Sequence, residues 1–415
     1  MTRPMGRATT RALSLAWSVA LLAILASCSS VPPRPAPTSP APVPAPTPAP
    51  PLPLPEFVPQ PVFSPMLWPQ VPGWNRDDAR DAFAAFRTGC TALRARAPWQ
   101  SSCAGALAET RALNAAQARA FFEQWFQPWQ VTTTDATGAI VDSGTITGYF
   151  EPVLNGSRRR DARHTVPLYG VPDDLVTIDL GELYPALKGE RVRGRLVGKR
   201  VVPYADRAGI ARGEGPRGKE LVWVDSAVDA FFLHIQGSGR VKLPNGETIR
   251  VAYADVNGHP YRAIGRVLVE KQDLTVEQAT APGLKAWIAQ HPTRAEEIFN
   301  ANPSFVFFRE EAITDASRGP RGALGVPLTA GRSVAIDPRN LPLGAPLFLA
   351  TISPDGTPLE RLVMAQDTGG AIRGVVRADF FTGLGPEAGD RAGRMRAPGR
   401  LWILWPRDAG APMKP

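Results

Sequence analysis

Two aspartates near the C-terminus are the residues of this chain best placed to do chemistry. Asp367 precedes Thr-Gly-Gly, and Asp379 follows twelve residues later within Arg-Ala-Asp-Phe-Phe. Both are carried by apolar, β-prone sequence, where a carboxylic acid has a raised pKa. Such acids are what the cleavage of glycosidic bonds requires. The two aspartates therefore suggest an enzyme that acts on a sugar polymer.

Local sequence distinguishes the two aspartates. An Asp before Thr-Gly-Gly is also a common turn former, so Asp367 has a structural explanation as well as a chemical one. An extended stretch over 374–381 would place Arg377, Asp379 and Phe381 on one face, and strand interiors are depleted in Asp. Burial beside Phe381 would raise the pKa of Asp379, whereas Arg377 would lower it. Asp379 is therefore the stronger catalytic candidate.

Most of the chain that must position these residues has the pattern of short β-strands divided by Gly, Pro, Asn and Asp. Strands are predicted at 138–141, 145–153, 166–169, 221–224, 231–236, 250–255, 333–337, 346–351, 361–367, 374–381 and 400–405. Helices are predicted from Asn75 and from Asn114, the second with a capping box to Gln117, and over 275–279, 283–290 and 293–300. The Gly-rich segment 385–390 is predicted as a loop. The fold class is mainly β with some helices.

The first residues have the features of an export signal followed by a tether. Residues 1–27 carry three arginines and then a short uncharged apolar run, which is too short for an ordinary membrane span. The ending Leu-Ala-Ser-Cys resembles the bacterial lipobox, in which Cys28 is lipidated. Residues 31–61 contain fifteen prolines, so 28–63 is predicted to be an extended tether. At about 3.1 Å per residue it would reach roughly 90 Å.

The remaining cysteines fit an oxidising compartment. Cys90 and Cys103 form an even pair thirteen residues apart, for which a disulfide is predicted, with two unlinked buried thiols as the alternative. The four histidines show no ligand spacing with one another or with cysteine, so no metal site is predicted.

The chain is basic, with a formal net charge of +9. Its arginine-rich stretches, 158–160 and 191–200, lack interleaved aromatic residues, and the protein is predicted to be exported, so nucleic acid is not an expected partner. Solvated basic faces are the default interpretation, and attraction to an anionic wall polymer is the functional one.

Several motifs resemble one enzyme family. Asp337-Pro, Asp-Thr-Gly-Gly-Ala-Ile at 367–372 and Arg-Ala-Asp-Phe at 377–380 are similar to the signature of the three-aspartate, or 3D, domain. Gly-Tyr-Phe-Glu-Pro at 148–152, the Gln-Gly-Ser-Gly ending at 239 and Gly-Pro-Glu-Ala-Gly at 385–389 are similar to the same family. The chain thus resembles the membrane-bound lytic murein transglycosylase A family over roughly residues 70 to 410.

The resemblance implies a double-psi β-barrel built from both ends of the mature chain, with a second β-rich domain inserted and a glycan groove between the two. The expected boundaries are 64–170 for the N-terminal part of the barrel domain, 171–318 for the insert and 319–415 for the C-terminal part.

The resemblance also implies the reaction. This family cleaves the β-1,4 bond between N-acetylmuramic acid and N-acetylglucosamine and leaves a 1,6-anhydro ring, without a cofactor or metal. Asp379 would be the acid and then the base, and Asp367 a supporting group. Expected sugar contacts come from side chains of three segments: Tyr149, Glu151, Gln236, Ser238 and Arg377.

Two other functions stay open at this point. One is a hydrolase that uses both aspartates with water, and the other is a noncatalytic wall-binding lipoprotein. The expected location is the outer membrane, facing the periplasm. Expected partners are peptidoglycan glycan strands, the membrane through the lipid anchor, and proteins of cell-wall synthesis or division.

Overall fold

The computed structural model describes residues 57–184, 187 and 192–414. The predicted signal peptide, the lipidation site Cys28 and most of the proline tract lie outside the described residues. Within the described part of the chain, no helix is both long and apolar enough to cross a membrane.

The described residues form strands and helices numbered here in chain order. The strands are β1 Val62–Pro65, β2 Phe126–Thr134, β3 Ile140–Val141, β4 Gly144–Glu151, β5 Val153–Ser157, β6 Val166–Tyr169, β7 Leu175–Ile178, β8 Val192–Val197, β9 Arg200–Val202, β10 Glu220–Val224, β11 Ser238–Lys242, β12 Thr248–Val256, β13 Val306–Glu311, β14 Ser333–Ile336, β15 Pro346–Ile352, β16 Pro358–Thr368, β17 Ala378–Leu384 and β18 Arg396–Pro406. The helices are α1 Arg80–Leu93, α2 Gln100–Ala108, α3 Ala115–Trp125, the single turn α4 Arg207–Gly209, α5 Ala227–Gln236, α6 Ile264–Glu270, α7 Ala281–Gln290, α8 Ala295–Asn300 and α9 Gly385–Arg394.

The fold is mainly β with some helices, and its centre is a closed barrel of six strands. The order β18, β15, β16, β14, β17, β4 returns to β18, because β4 pairs with both β17 and β18. Within the barrel, β14 runs parallel to β16 and β17 runs parallel to β4. The other neighbouring strands are antiparallel. Closure leaves these strands without an open edge. One of the six strands comes from residues 144–151 and the other five from residues 333–406.

The barrel core continues into the N-terminal helices. Phe86 on α1, Phe122 on α3 and Phe126 at the start of β2 pack against one another and are fully buried with the barrel's apolar side chains. The predicted capping box at Asn114 is present. Cys90 on α1 and Cys103 on α2 are joined by a disulfide.

A second sheet of six strands, in the order β13, β12, β11, β5, β10, β6, has its own core. The chain passes from the barrel to this sheet at Pro152, the single residue between β4 and β5. A separate cluster of α5, α6, α7 and α8 packs around Trp287 and Phe231.

Three local predictions are wrong, and helices α2 and α6 were not predicted. Residues 231–236 lie in α5 rather than a strand, because Ser226 caps the start of the helix and Gly237, in a left-handed conformation, ends it. Residues 275–279 form turns, and the unpredicted helix α2 occupies 100–108. Residues 385–394 are helix α9 and not a loop, since Gly389 allows the helix to pack closely against Phe150.

The strand that carries Asp379 also begins later than predicted. β17 starts at Ala378, four residues after the expected start at 374. The preceding segment is held by Asp337, whose side chain accepts a hydrogen bond from the backbone N–H of Gly374. Asp379 is therefore the second residue of its strand.

Candidate active site

Strand register aligns the two aspartates on one row of the barrel. Ala335 on β14 pairs with Asp379 on β17 at one side and with Asp367 on β16 at the other. Asp379 also pairs with Thr147 on β4. Residues paired across neighbouring strands share a face of the sheet. With about 4.8 Å between strands, the Cα atoms of Asp367 and Asp379 are roughly 9 to 10 Å apart.

This row lies on the outer face of the barrel. The neighbours of Asp379 in the chain, Ala378 and Phe380, point into the barrel core, so Asp379 points outward. The same face carries a small separate apolar cluster that includes Tyr149, Ala335 and Phe381. The two acids thus lie on a strand scaffold beside apolar side chains, and each is partly exposed.

Asp379 is partly buried and receives one hydrogen bond from the described residues. The Thr147 hydroxyl donates to its Oδ1 at 2.5 Å. Burial raises the pKa of Asp379 to about 6, the Thr147 hydrogen bond and the Arg377 charge oppose that rise, and the charge of Asp367 adds to it. Asp379 is therefore an acid that can carry a proton near neutral pH.

Thr147 links Arg377 to Asp379. Nη2 of Arg377 lies 2.8 Å from the Thr147 hydroxyl and can only donate, which leaves the hydroxyl hydrogen to be donated to Oδ1 of Asp379 when that carboxyl is ionised. No described residue hydrogen-bonds to Oδ2 of Asp379. Oδ2 is therefore the oxygen that is free to exchange a proton with a ligand.

Asp367 is held much more tightly. Its Oδ1 accepts from the backbone N–H groups of Ala323 and Thr368, at 3.0 and 2.9 Å, and its Oδ2 accepts from the Tyr149 hydroxyl at 2.9 Å. Burial raises the pKa of Asp367, and these three donors oppose the rise. The pKa of Tyr149 is also raised, chiefly by burial and by the charge of Asp367, which keeps its hydroxyl a donor.

The third aspartate of the motif has a structural role. Asp337 is fully buried and accepts hydrogen bonds from Arg339, Asn340 and the backbone of Gly374. Burial favours its neutral form, but the hydrogen bonds from Arg339 and Gly374 and the charge of Arg339 outweigh that effect and lower its pKa. Asp337 therefore anchors the turn between the two acids.

The predicted sugar-contacting residues are only partly brought together. Tyr149 is buried under Asp367, and Arg377 is half-buried beside Asp379. The prediction for Glu151 is wrong: its side chain is fully buried, and its oxygens are taken by Arg240 and Arg250. A carboxylate so enclosed has no free oxygen for a sugar.

The two residues from the Gln-Gly-Ser-Gly motif lie where α5 meets β11. The Gln236 side-chain oxygen accepts from the backbone N–H of Phe150 at 3.0 Å, so it braces β4, while its amino group remains available to donate. Ser238 is buried at the first position of β11.

Sequence reasoning missed Thr147. In retrospect, strand alternation offers one signal, because Thr147 and Tyr149 are two residues apart and share a face of β4. Its partner Asp379 is 232 residues away in the chain, so the contact itself was not visible in the sequence.

Comparison with known proteins identifies the family. A family model described as the MltA specific insert domain matches residues 145–309, and one described as the 3D domain matches residues 332–405. The membrane-bound lytic murein transglycosylase A of Escherichia coli K12 is 31% identical over 284 residues, which cover 66% of this chain and 68% of that protein.

Solved structures agree. A crystal structure of MltA from Neisseria gonorrhoeae has a TM-score of 0.71 and 40% identity, covering 85% of this chain and 94% of that one. The Escherichia coli MltA structure with bound chitohexaose has a TM-score of 0.62 and 26% identity, covering 83% and 94%. The family-model ranges include most of the barrel, most of the second sheet and the row of aspartates. On this evidence the chain belongs to the membrane-bound lytic murein transglycosylase A family.

Proposed function

We propose that this protein is a peptidoglycan lytic transglycosylase with Asp379 as its single acid and base. The observation that carries the proposal is the environment of Asp379: an outward-facing carboxyl with a pKa near 6, one oxygen engaged by Thr147 and the other open. Family membership supplies the substrate class, glycan strands of N-acetylmuramic acid and N-acetylglucosamine. The glycan would lie along the groove beside the row of aspartates.

In the first step Asp379 acts as the acid. The proton on Oδ2 passes to the glycosidic oxygen as the bond from that oxygen to C1 of muramic acid breaks. The leaving N-acetylglucosamine keeps the bonding electrons and gains a hydroxyl. A positioned proton donor contributes about 10² to 10⁴ in rate.

In the second step the same carboxyl acts as the base. The C6 hydroxyl of muramic acid bonds to C1, and its proton returns to Asp379, which restores the enzyme. No water molecule is consumed, and the product is a 1,6-anhydro ring. Because the nucleophile belongs to the same sugar, its attack gains from intramolecular proximity.

Asp367 would support this chemistry through its charge. Its three hydrogen-bond donors hold it in place, and its negative charge favours the positive charge that develops on the sugar ring. The same charge keeps the pKa of Asp379 raised. Tyr149 acts through Asp367, as a positioning residue.

The occupied oxygens of Asp367 also favour the lyase over a two-carboxylate hydrolase. A hydrolase needs the second carboxylate as a nucleophile or as a base for water. To act as either nucleophile or base, Asp367 would have to lose one of its hydrogen bonds. A noncatalytic binding lipoprotein, the remaining alternative, would have no use for an acid with a pKa near 6.

We propose that the protein is anchored in the outer membrane and faces the periplasm, through lipid on Cys28 and the proline tract 31–61. The relatives' name, membrane-bound, supports association with a membrane, and the lipobox-like ending at Cys28 supports the lipid anchor. Cys28 and most of the proline tract lie outside the described residues. Contact with proteins of wall synthesis or division is part of the same proposal.

The test is digestion of purified sacculi by the full chain in detergent, followed by mass spectrometry of the products. Anhydro-muramic ends are expected. Reducing ends alone would establish a hydrolase, and retention of glycan without any released product would establish a binding protein.

A further inference from the structure

Arg396 lies one strand beyond Thr147 on the row of paired residues that contains Asp379. It is the first residue of β18 and pairs with Thr147 on β4, which in turn pairs with Asp379 on β17. Paired residues share a face, so Arg396 lies on the same outer face as Asp379. Two strand spacings separate them, which places their Cα atoms roughly 9 to 10 Å apart.

Arg396 differs from Arg377, the other arginine near Asp379. Arg377 is half-buried and donates to the Thr147 hydroxyl and to the backbone oxygens of Thr145 and Ala378. Arg396 is exposed, and among the described residues its guanidinium has no hydrogen bond or ion pair. Its donors are therefore available to a ligand.

Arg396 lines an open surface cavity of about 380 Å³. The cavity is lined by Ser143, Gly144, Thr145, Arg396, Ala397 and Pro398. No acidic side chain lines it, and the polar side chains that do are one guanidinium and two hydroxyls, all able to donate hydrogen bonds. This lining is suited to an anion with several acceptor oxygens, such as a carboxylate.

Two guanidinium groups, those of Arg377 and Arg396, lie near Asp379. Burial lowers the pKa of Arg377, the charge of Asp379 opposes this, and repulsion from Arg396 adds to the lowering. The two guanidinium groups are therefore close enough to affect each other. When Asp379 carries its proton, it no longer offsets the positive charges of Arg377 and Arg396. A carboxylate bound beside them would offset those charges instead.

We propose that Arg396 and the adjoining cavity bind a carboxylate of the peptide attached to muramic acid, and so direct the enzyme to glycan that still bears peptide. This rests on the proposed function, which puts muramic acid at Asp379. The peptide begins at the lactyl group of that sugar and carries free carboxylates. At about 3.3 Å per extended residue, the roughly 9 to 10 Å between the Cα atoms of Asp379 and Arg396 corresponds to about three residues.

The test uses the full chain in detergent and two substrates: glycan strands with their peptides, and the same strands after an amidase has removed the peptides. Initial rates of anhydro-end formation give kcat/KM for each. For the wild type we expect peptide-bearing strands to be preferred by about tenfold, the worth of one charge-assisted hydrogen-bonding contact.

Arg396→Ala is expected to remove this preference by lowering kcat/KM about tenfold on peptide-bearing strands while leaving peptide-free strands unaffected. Arg396→Lys, which keeps the charge, should retain part of the preference. Arg94→Ala, an exposed arginine at the end of α1, is the matched control and should behave as the wild type.

Three results would overturn the proposal. The wild type could show no preference for peptide-bearing strands, the Arg396→Ala variant could keep that preference, or the variant could lose kcat/KM equally on both substrates. An equal loss would mean that Arg396 acts on the sugar or on Asp379. A wild type that forms anhydro ends from neither substrate would instead refute the proposed function.

Discussion

Asp379 and Asp367 lie on either side of Ala335 on the same face of the barrel, yet their surroundings are opposite in kind. Asp379 accepts one side-chain hydrogen bond and has an open oxygen. Asp367 accepts three hydrogen bonds that engage both of its oxygens. Both have raised pKa values, so burial alone does not distinguish them.

Glu151 extends the comparison. It is more buried than either aspartate, but its carboxylate is paired with Arg240 and Arg250. In this molecule, therefore, the acid that can exchange a proton with substrate is the one with a carboxylate oxygen that has no hydrogen-bond partner among the described residues. The charge of the enclosed carboxylates serves structure or electrostatics.

The largest expected effect is that of Asp379→Asn. The amide cannot donate an acidic proton or accept one back, so both steps lose their catalyst, and kcat should fall at least about a thousandfold. Release of anhydro ends from sacculi measures this. Asp355→Asn, in an exposed turn, is the control and should be fully active.

Thermal unfolding shows whether Asp379→Asn is folded. The fold favours the protonated carboxyl, because its pKa rises from 3.8 to about 6. The raised pKa therefore adds to the free energy of unfolding below about pH 4, and this stabilisation is lost as the pH rises through about 6. Asparagine cannot ionise, so above pH 6 the variant should be at least as stable as the wild type. A destabilised variant at that pH would void the activity comparison.

Glu151→Gln should act on stability. Removing one member of a buried ion pair typically lowers the free energy of unfolding by about 3 to 5 kcal/mol. Denaturant unfolding measures the change, and Glu310→Gln, in an exposed pair with Arg158, should lose less than about 1 kcal/mol. If the folded Glu151→Gln enzyme lost its activity while keeping its stability, Glu151 would have a direct role in the reaction.

Asp367→Asn should reduce kcat by about 10- to 100-fold, since a supporting charge is lost but the proton donor remains. Tyr149→Phe removes one of the three donors to Asp367 and should have a smaller effect in the same direction. Steady-state kinetics on sacculi tests both. A loss for Asp367→Asn equal to that for Asp379→Asn would favour the two-carboxylate hydrolase.

Thr147→Val should have the smallest effect on rate, about tenfold, because it removes one hydrogen bond to Asp379. That hydrogen bond lowers the pKa of Asp379, so its loss should move the alkaline limb of kcat/KM upward from about pH 6. Thr147→Ser keeps the hydroxyl and should restore both the rate and the pH profile. An unmoved limb in Thr147→Val would mean that the contact only supports packing.

The strands of the barrel were predictable because their local patterns agree with the fold. Residues 333–337, 346–351 and 361–367 were predicted to be strands and are β14, β15 and β16 within a few residues. Helices α5 and α9 were not predictable from local pattern. The α5 sequence is apolar on nearly every face, so its periodicity does not distinguish a helix from a buried strand. The α9 sequence contains three glycines, which have low helix propensity.

The site was predictable as far as single residues carry chemistry. Asp379 and Asp367 stand out by type and context, and the family motifs point to the same pair. What could not be predicted is how many donors each oxygen receives. Ala323, Thr147 and Tyr149 reach the two aspartates only through the closed barrel, across 44, 232 and 218 residues of chain.

Digestion of sacculi in H₂¹⁸O tests the central claim most directly, that one carboxyl serves as acid and base while the sugar's own hydroxyl attacks. Mass spectrometry would read the isotope in the newly formed muramic ends. We expect anhydro ends without ¹⁸O, because no oxygen from water enters the product. New ends that carry ¹⁸O at C1 would contradict it and would make the enzyme a hydrolase.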